Sequence, residues 1–136
     1  MIRVVIDTNV VVSAHLNRQG TSALIFRLAL AGEFTWGISD PILEEYEDVL
    51  RRPKFALPPA LITQSLKRIR KVNKKIKSDR TVTASPDEAD NRFLECAEQA
   101  KAEYLVTANT KHFPKQWKTT RIVTPREFLE IIITGS

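Results

Sequence analysis

The chain opens on Ile2-Arg3-Val4-Val5-Ile6-Asp7-Thr8-Asn9, a β-branched apolar run that ends abruptly in a carboxylate, a hydroxyl and an amide. A short uninterrupted run of this kind predicts a strand buried on both faces, as in the middle of a parallel sheet. Asp7 then stands at the strand's carboxyl end, where open α/β sheets place their ligands. What a strand-end aspartate means depends on whether other acids arrive at the same place.

The rest of the chain supplies the partners of that strand. Val10 to Leu16 predicts a short helix, and Asn17-Arg18-Gln19-Gly20 a loop. Thr21 or Ser22 opens a helix with Leu24, Ile25, Leu28 and Ala29 on one face, closed by Gly32. Phe34 to Ile38 is aromatic and β-branched, a second strand. Asp40 as cap and Pro41 at the first helical position start a helix carrying Ile42, Leu43, Tyr46, Val49 and Leu50, which stops near Arg52-Pro53. Pro58-Pro59 leads into a long amphipathic helix bearing Leu61, Ile62, Leu66, Ile69, Val72 and Ile76.

Ser78 to Ala84, around Val82, predicts a strand, and Ser85-Pro86-Asp87 begins a helix with Phe93, Leu94, Ala97 and Ala100 on its apolar side. Tyr104 to Thr107 is the next strand, Asn109 to Pro114 a loop, and Arg121 to Thr124 a last short strand. Thr124 and Pro125 then open a final helix with Phe128, Leu129, Ile131 and Ile132 as its apolar face. Strands separated by helices imply right-handed crossovers. The predicted fold is therefore α/β, one domain over residues 1–136, a three-layer α/β/α sandwich around a mainly parallel sheet of four or five strands.

Charge narrows the partners. With 21 Lys+Arg against 16 Asp+Glu the net charge is +5, which favours an anionic partner, nucleic acid before an anionic membrane surface. The single cysteine, Cys96, excludes an internal disulfide framework and a CxxC metal site, and suits a reducing compartment. No apolar run approaches the length of a membrane span, and Asp7 interrupts any signal-peptide pattern, so a cytoplasmic location without membrane attachment is expected.

Helical projection at about 100° per residue shows which way the other acids point. In the helix after Asp40, Glu44 lies opposite the apolar arc and Glu47 flanks one edge. Glu45 flanks the arc beside Val49, near the helix start and hence near the carboxyl end of the preceding strand. In the helix after Pro86, Asp90 falls between Phe93 and Leu94, within the apolar arc, where a carboxylate needs compensation. Asp7, Glu45 and Asp90 together would repel unless a cation sat among them. All-oxygen ligands suit Mg²⁺ or Mn²⁺, and a hard cation in a basic protein points to phosphodiester chemistry.

Four stretches carry a family resemblance: Val4 to Asn9, the Ser39-to-Leu50 helix with Glu45-Tyr46, Asp90-Asn91-Arg92-Phe93-Leu94-Glu95-Cys96-Ala97, and Leu105-Val106-Thr107-Ala108-Asn109. In this order, over nearly the whole chain, they resemble the PIN-domain family, especially the toxin subunits of prokaryotic toxin–antitoxin systems. The resemblance implies a metal-dependent endoribonuclease with an acidic pocket for Mg²⁺ or Mn²⁺. By position, Asp7, Glu45 and Asp90 would form the metal-binding cluster, supported by Thr8, Asn9 and Thr107. Asn109 stands where the family often has a fourth acid and is a fourth candidate catalytic residue, able to orient water or bind metal weakly through its carbonyl but bringing no charge. The implied partners are RNA, a cognate antitoxin and a second copy of the chain.

Lys67 to Lys77 holds seven cations, predicted to cover the polar surface of the long helix. Lys67, Arg68, Arg70, Lys71, Lys74 and Lys75 make a candidate track for an RNA backbone, giving affinity without sequence choice, or for an acidic antitoxin tail; a solvated helix face is the simpler alternative. Two other functions stay open. A domain that binds RNA or protein without cleaving it is suggested by Asn109. An aspartyl-nucleophile phosphatase is suggested by the strand ending in Asp7, although Asn9 stands where its second acid belongs.

Overall fold

Val4, Val5 and Ile6 are fully buried because their strand lies between two others. The computed structural model describes residues 1–79 and 81–135. The chain runs β1 (Arg3–Ile6), α1 (Thr8–Leu16), α2 (Thr21–Leu30), β2 (Thr35–Ser39), α3 (Asp40–Leu50), α4 (Pro59–Val72), β3 (Lys74–Ile76), α5 (Glu88–Ala100), β4 (Tyr104–Val106), β5 (Gln116–Trp117), β6 (Thr120–Val123) and α6 (Pro125–Thr134). The sheet order is β3-β2-β1-β4-β6-β5, parallel throughout except where β5 pairs antiparallel with β6. The chain leaves β1 toward β2 and β3 on one side and later fills β4 and β6 on the other. The crevice between β1 and β4 is thus the point where strand order reverses.

Both faces of the sheet are covered. Successive strand residues point to opposite faces. Trp36 meets Phe26 of α2 and Tyr46 of α3 in ring contacts. Its neighbour Gly37 faces the other way, toward α5, which packs along β1, β2, β3 and β4. A Cβ on Gly37 would stand 3.3 Å from both the Ala100 Cβ and Ile76 Cγ1, so the missing side chain sets how closely α5 approaches. On the first face α6 packs against β4 and α2, with Phe128 edge-on to Phe34 and Tyr104. Thr124 and Glu127 form a full capping box at its start, with Pro125 following the cap.

The structure departs from the predicted elements in four places. The long helix ends at Val72, and Lys74–Ile76 is a strand, paired in parallel with Gly37–Ser39. Ile76 fits the helical phase of Val72 and Ile69, yet its burial comes from adding a strand beside β2. The strand predicted over Ser78 to Ala84 is absent from the described residues of that stretch, of which Arg80 is not one; Val82 is buried from an irregular segment. Gln116–Trp117 forms a short hairpin with β6, bringing the described sheet to six strands rather than four or five. Ser39, not Asp40, is the cap of α3. No described helix is long and apolar enough to cross a membrane.

Candidate active site

Asp7 leaves the end of β1 and immediately caps α1. Its backbone N–H continues the ladder to the Val106 carbonyl at 2.9 Å, and its Oδ1 accepts from the Thr8 N–H at 2.7 Å. Oδ2 accepts from the Thr107 hydroxyl at 2.7 Å and from Asn9 Nδ2 at 3.2 Å. Thr107 is fully buried one residue beyond β4, so the β1–β4 pairing delivers it to the same crevice. Its hydroxyl also accepts the Asn109 N–H at 3.0 Å, while Asn9 Oδ1 accepts the Ala108 N–H at 3.2 Å. Thr8, Asn9 and Thr107 are therefore all engaged around Asp7.

Glu45 and Asp90 come to the same place. The Thr8 hydroxyl donates to Glu45 Oε2, joining the first turn of α1 to α3. Next to Glu45, Tyr46 is buried and donates its phenol to the Ile6 carbonyl, which pins α3 to the end of β1. Glu47, by contrast, pairs outward with Arg51. Asp90 is buried in the first turn of α5, behind the Asp87 cap.

The electrostatics register this gathering. Burial pushes the Asp7 carboxyl up to about 6; hydrogen bonds from Thr107 and Thr8 oppose the rise, and the charges of Asp90 and Glu45 add to it. Asp90 is raised by burial first and by the Asp87 charge next, with His112 offsetting this and Glu45 contributing. None of Asp7, Glu45 or Asp90 forms an ion pair with Lys or Arg among the described residues. Cys96 takes no part, since burial pushes its thiol up to about 12 and leaves it unreactive.

The donor chemistry fits a hard divalent cation, with carboxylate oxygens, no thiolate and no lysine or arginine paired to them among the described residues. No three acidic, histidine or cysteine side chains among the described residues are already drawn into one coordination sphere. Mg²⁺ does not require that, because it keeps several waters and is held by one or two carboxylates.

The other predicted residues fall elsewhere. Asn109 is exposed and reaches the crevice through its backbone N–H. The basic run is split by the end of α4 and does not form one helical track. Lys74 lies at the amino-terminal edge of the sheet beside Met1, Arg3 and Thr35, away from the acids. Lys75 stands 3.7 Å from Asp40 at the start of α3. Lys67, Arg68, Arg70 and Lys71 remain exposed on α4.

His112, which the sequence reads as a polar loop residue at a position sometimes acidic in the family, lies near the acids, and a buried ion pair went unread. His112 lies in a 3-10 turn after β4, close enough for its charge to act on Asp90. Arg92 and Glu95 form a buried ion pair at 3.3 Å beneath the segment that precedes α5. Arg92 Nη2 also donates to the Val82 carbonyl at 3.0 Å, and the Ser78 hydroxyl donates to Glu95 Oε1. The spacing of Glu88, Arg92 and Glu95, four and three residues apart, was the available signal.

Among protein-family models, one described as PIN domain matches residues 3–111. No curated protein matches the chain.

Proposed function

Since this chain belongs to the PIN-domain family, we propose that its nuclease-type chemistry is that of a divalent-metal-dependent endoribonuclease hydrolysing RNA phosphodiester bonds. Asp7 and Asp90 would hold Mg²⁺ or Mn²⁺ directly, with Glu45 completing the acidic cluster. When bound, the metal supplies Lewis acidity toward the phosphate and lowers the pKa of a water. The chain's own residues do the positioning. Thr107, Thr8 and Asn9 fix both oxygens of Asp7, and Tyr46 ties α3 to β1 so that Glu45 stays beside Thr8. Asn109 contributes its backbone to this frame and no charge.

The observation that carries the proposal is convergence. Three carboxylates from segments 38 and 45 residues apart meet at one crevice, where burial first and then the charges of Asp90 and Glu45 raise the Asp7 carboxyl, with no lysine or arginine paired to any of the three among the described residues. In metal-free protein that arrangement is unfavourable, and a divalent cation relieves it. We further propose a cytoplasmic toxin role, opposed by a cognate antitoxin and compatible with a homodimer. A small antitoxin gene beside this one in the genome would support that role.

The test is cleavage of fluorescent single-stranded RNA with Mn²⁺ or Mg²⁺. Cleavage should vanish with EDTA and in Asp7→Asn and Asp90→Asn. Metal-dependent cleavage that survives both substitutions would sink the assignment. The competing reading is a domain that binds RNA or protein without cleaving, favoured by the amide at Asn109; retained RNA binding with no cleavage under any divalent metal would establish it.

A further inference from the structure

A second cleft, of about 350 Å³, opens between α1, α2 and α4. Its floor is Ala14, Ala23, Phe26 and Leu61, and its polar lining includes Arg18, Arg27, Arg68, Gln64 and His15, with no acidic residue. Three guanidinium groups around one concavity without a carboxylate in its lining repel each other. Arg18, Arg27 and Arg68 make no ion pair among the described residues.

The cleft is built rather than incidental. Arg27 Nη1 donates to the Arg18 carbonyl at 3.0 Å, so one guanidinium is fixed across the loop that joins α1 to α2. His15 Nδ1 contacts the Val11 carbonyl at 2.8 Å and Nε2 the buried Ser65 hydroxyl at 2.7 Å, locking α1 to α4 at the cleft wall. Its ring also packs edge-on against Phe26, with centroids 5.0 Å apart.

Its position relates it to the acids. Thr8, which donates to Glu45, and His15, at the cleft, are seven residues apart and so lie on one side of α1, roughly 10 Å apart along its axis. Guanidinium groups bind phosphate through paired N–H donors, which a lysine cannot reproduce.

We propose that this cleft is a second RNA contact, in which Arg18, Arg27 and Arg68 bind backbone phosphates at the end of α1 away from the acids. It rests on the ribonuclease reading for its substrate, while its own test needs no catalysis. An acidic peptide is the other polyanion the guanidinium groups could hold. The net charge of +5 on the whole chain and the paired N–H donors of the guanidinium groups favour RNA.

The experiment is fluorescence anisotropy of the full chain with a labelled single-stranded 20-mer RNA, in EDTA, across a salt series. Arg18→Gln/Arg68→Gln should weaken binding at least tenfold at low salt, and the slope of log affinity on log salt should fall by about 1.4, two phosphate contacts at about 0.7 each. Arg18→Lys/Arg68→Lys should restore the slope but only part of the affinity. Arg68→Gln alone, at an exposed helical position, should give half the slope change and covers any folding defect of the pair. Unchanged affinity and slope in these variants overturn the proposal, as does wild-type protein that fails to bind RNA. Loss of polyglutamate binding with RNA binding intact overturns it in favour of a peptide site. Wild-type protein that binds RNA through these arginines yet never cleaves it refutes the ribonuclease reading and leaves the cleft assigned.

Discussion

The Thr107 hydroxyl donates to Asp7 Oδ2 at 2.7 Å across one hundred residues of sequence, joining the residue after β1 to the residue after β4. That bond lowers the proton affinity of a carboxylate that burial raises. Thr107→Val keeps the shape and removes the hydroxyl, so Asp7 should hold its proton to higher pH. The acidic limb of the pH–rate profile should move upward, with kcat/KM down about tenfold, as for other groups that orient a metal ligand. A profile superimposable on wild type would show that Thr107 does not tune Asp7.

Asp7 also sets a pH dependence of stability. Its folded value of about 6 exceeds the ordinary 3.8, so the native state binds the proton more tightly than the unfolded chain. Its contribution is therefore fully present below about pH 4 and is lost as pH rises through about 6, a span worth roughly 3 kcal/mol. Asp7→Asn has no such group. In metal-free urea titrations its stability relative to wild type should climb between pH 4 and 6 and level off above. A difference that stays flat with pH contradicts the shift.

Metal should reverse that penalty. At pH 7.5, where Asp7 is ionised, saturating Mn²⁺ should raise the wild-type Tm by several degrees through mass action on the native state. At pH 4.5, with Asp7 protonated, the rise should be absent, and Asp7→Asn should show little rise at either pH. Differential scanning fluorimetry with and without EDTA decides it.

Tyr46→Phe should cost about 1–2 kcal/mol, because it takes the donor from the Ile6 carbonyl inside the core. The phenol sits fully buried and well above its usual pKa, so the loss should not vary between pH 6 and 9. Urea unfolding at three pH values would reveal any such variation.

Breaking the buried Arg92–Glu95 pair should be more damaging. Arg92→Met leaves the Glu95 carboxylate uncompensated in the interior and should cost about 3–5 kcal/mol, whereas Arg92→Met/Glu95→Leu should recover most of it. A double variant no more stable than the single one would mean that the hydrogen bonds to Val82 and Ser78 matter more than the pair itself.

Much of this site was legible one segment at a time. Val4 to Ile6 announced a buried strand because a continuous β-branched run suits a strand covered on both faces. Asp90 was conspicuous because a carboxylate stood within an apolar helical arc. What local pattern could not supply was pairing between distant segments. Ile76 keeps helical phase with Ile69, yet an open edge on β2 made Lys74–Ile76 a strand, and the basic run was divided with it. Gln116–Trp117 is too short to carry an alternation and exists through its pairing with β6. The cleft lined by Arg18, Arg27 and Arg68 draws on three helices, and no single stretch of sequence displays it.

The central place of β1 has a consequence for synthesis. β1 is made well before its second neighbour, β4, and Asp90 and Thr107 are supplied only after residue 89. A growing chain that has emerged through α3 carries Asp7 and Glu45 but has neither the second proposed metal-holding aspartate nor the hydroxyl that orients the first. Nuclease competence would then wait until both Asp90 and Thr107 have been made and β4 has paired with β1.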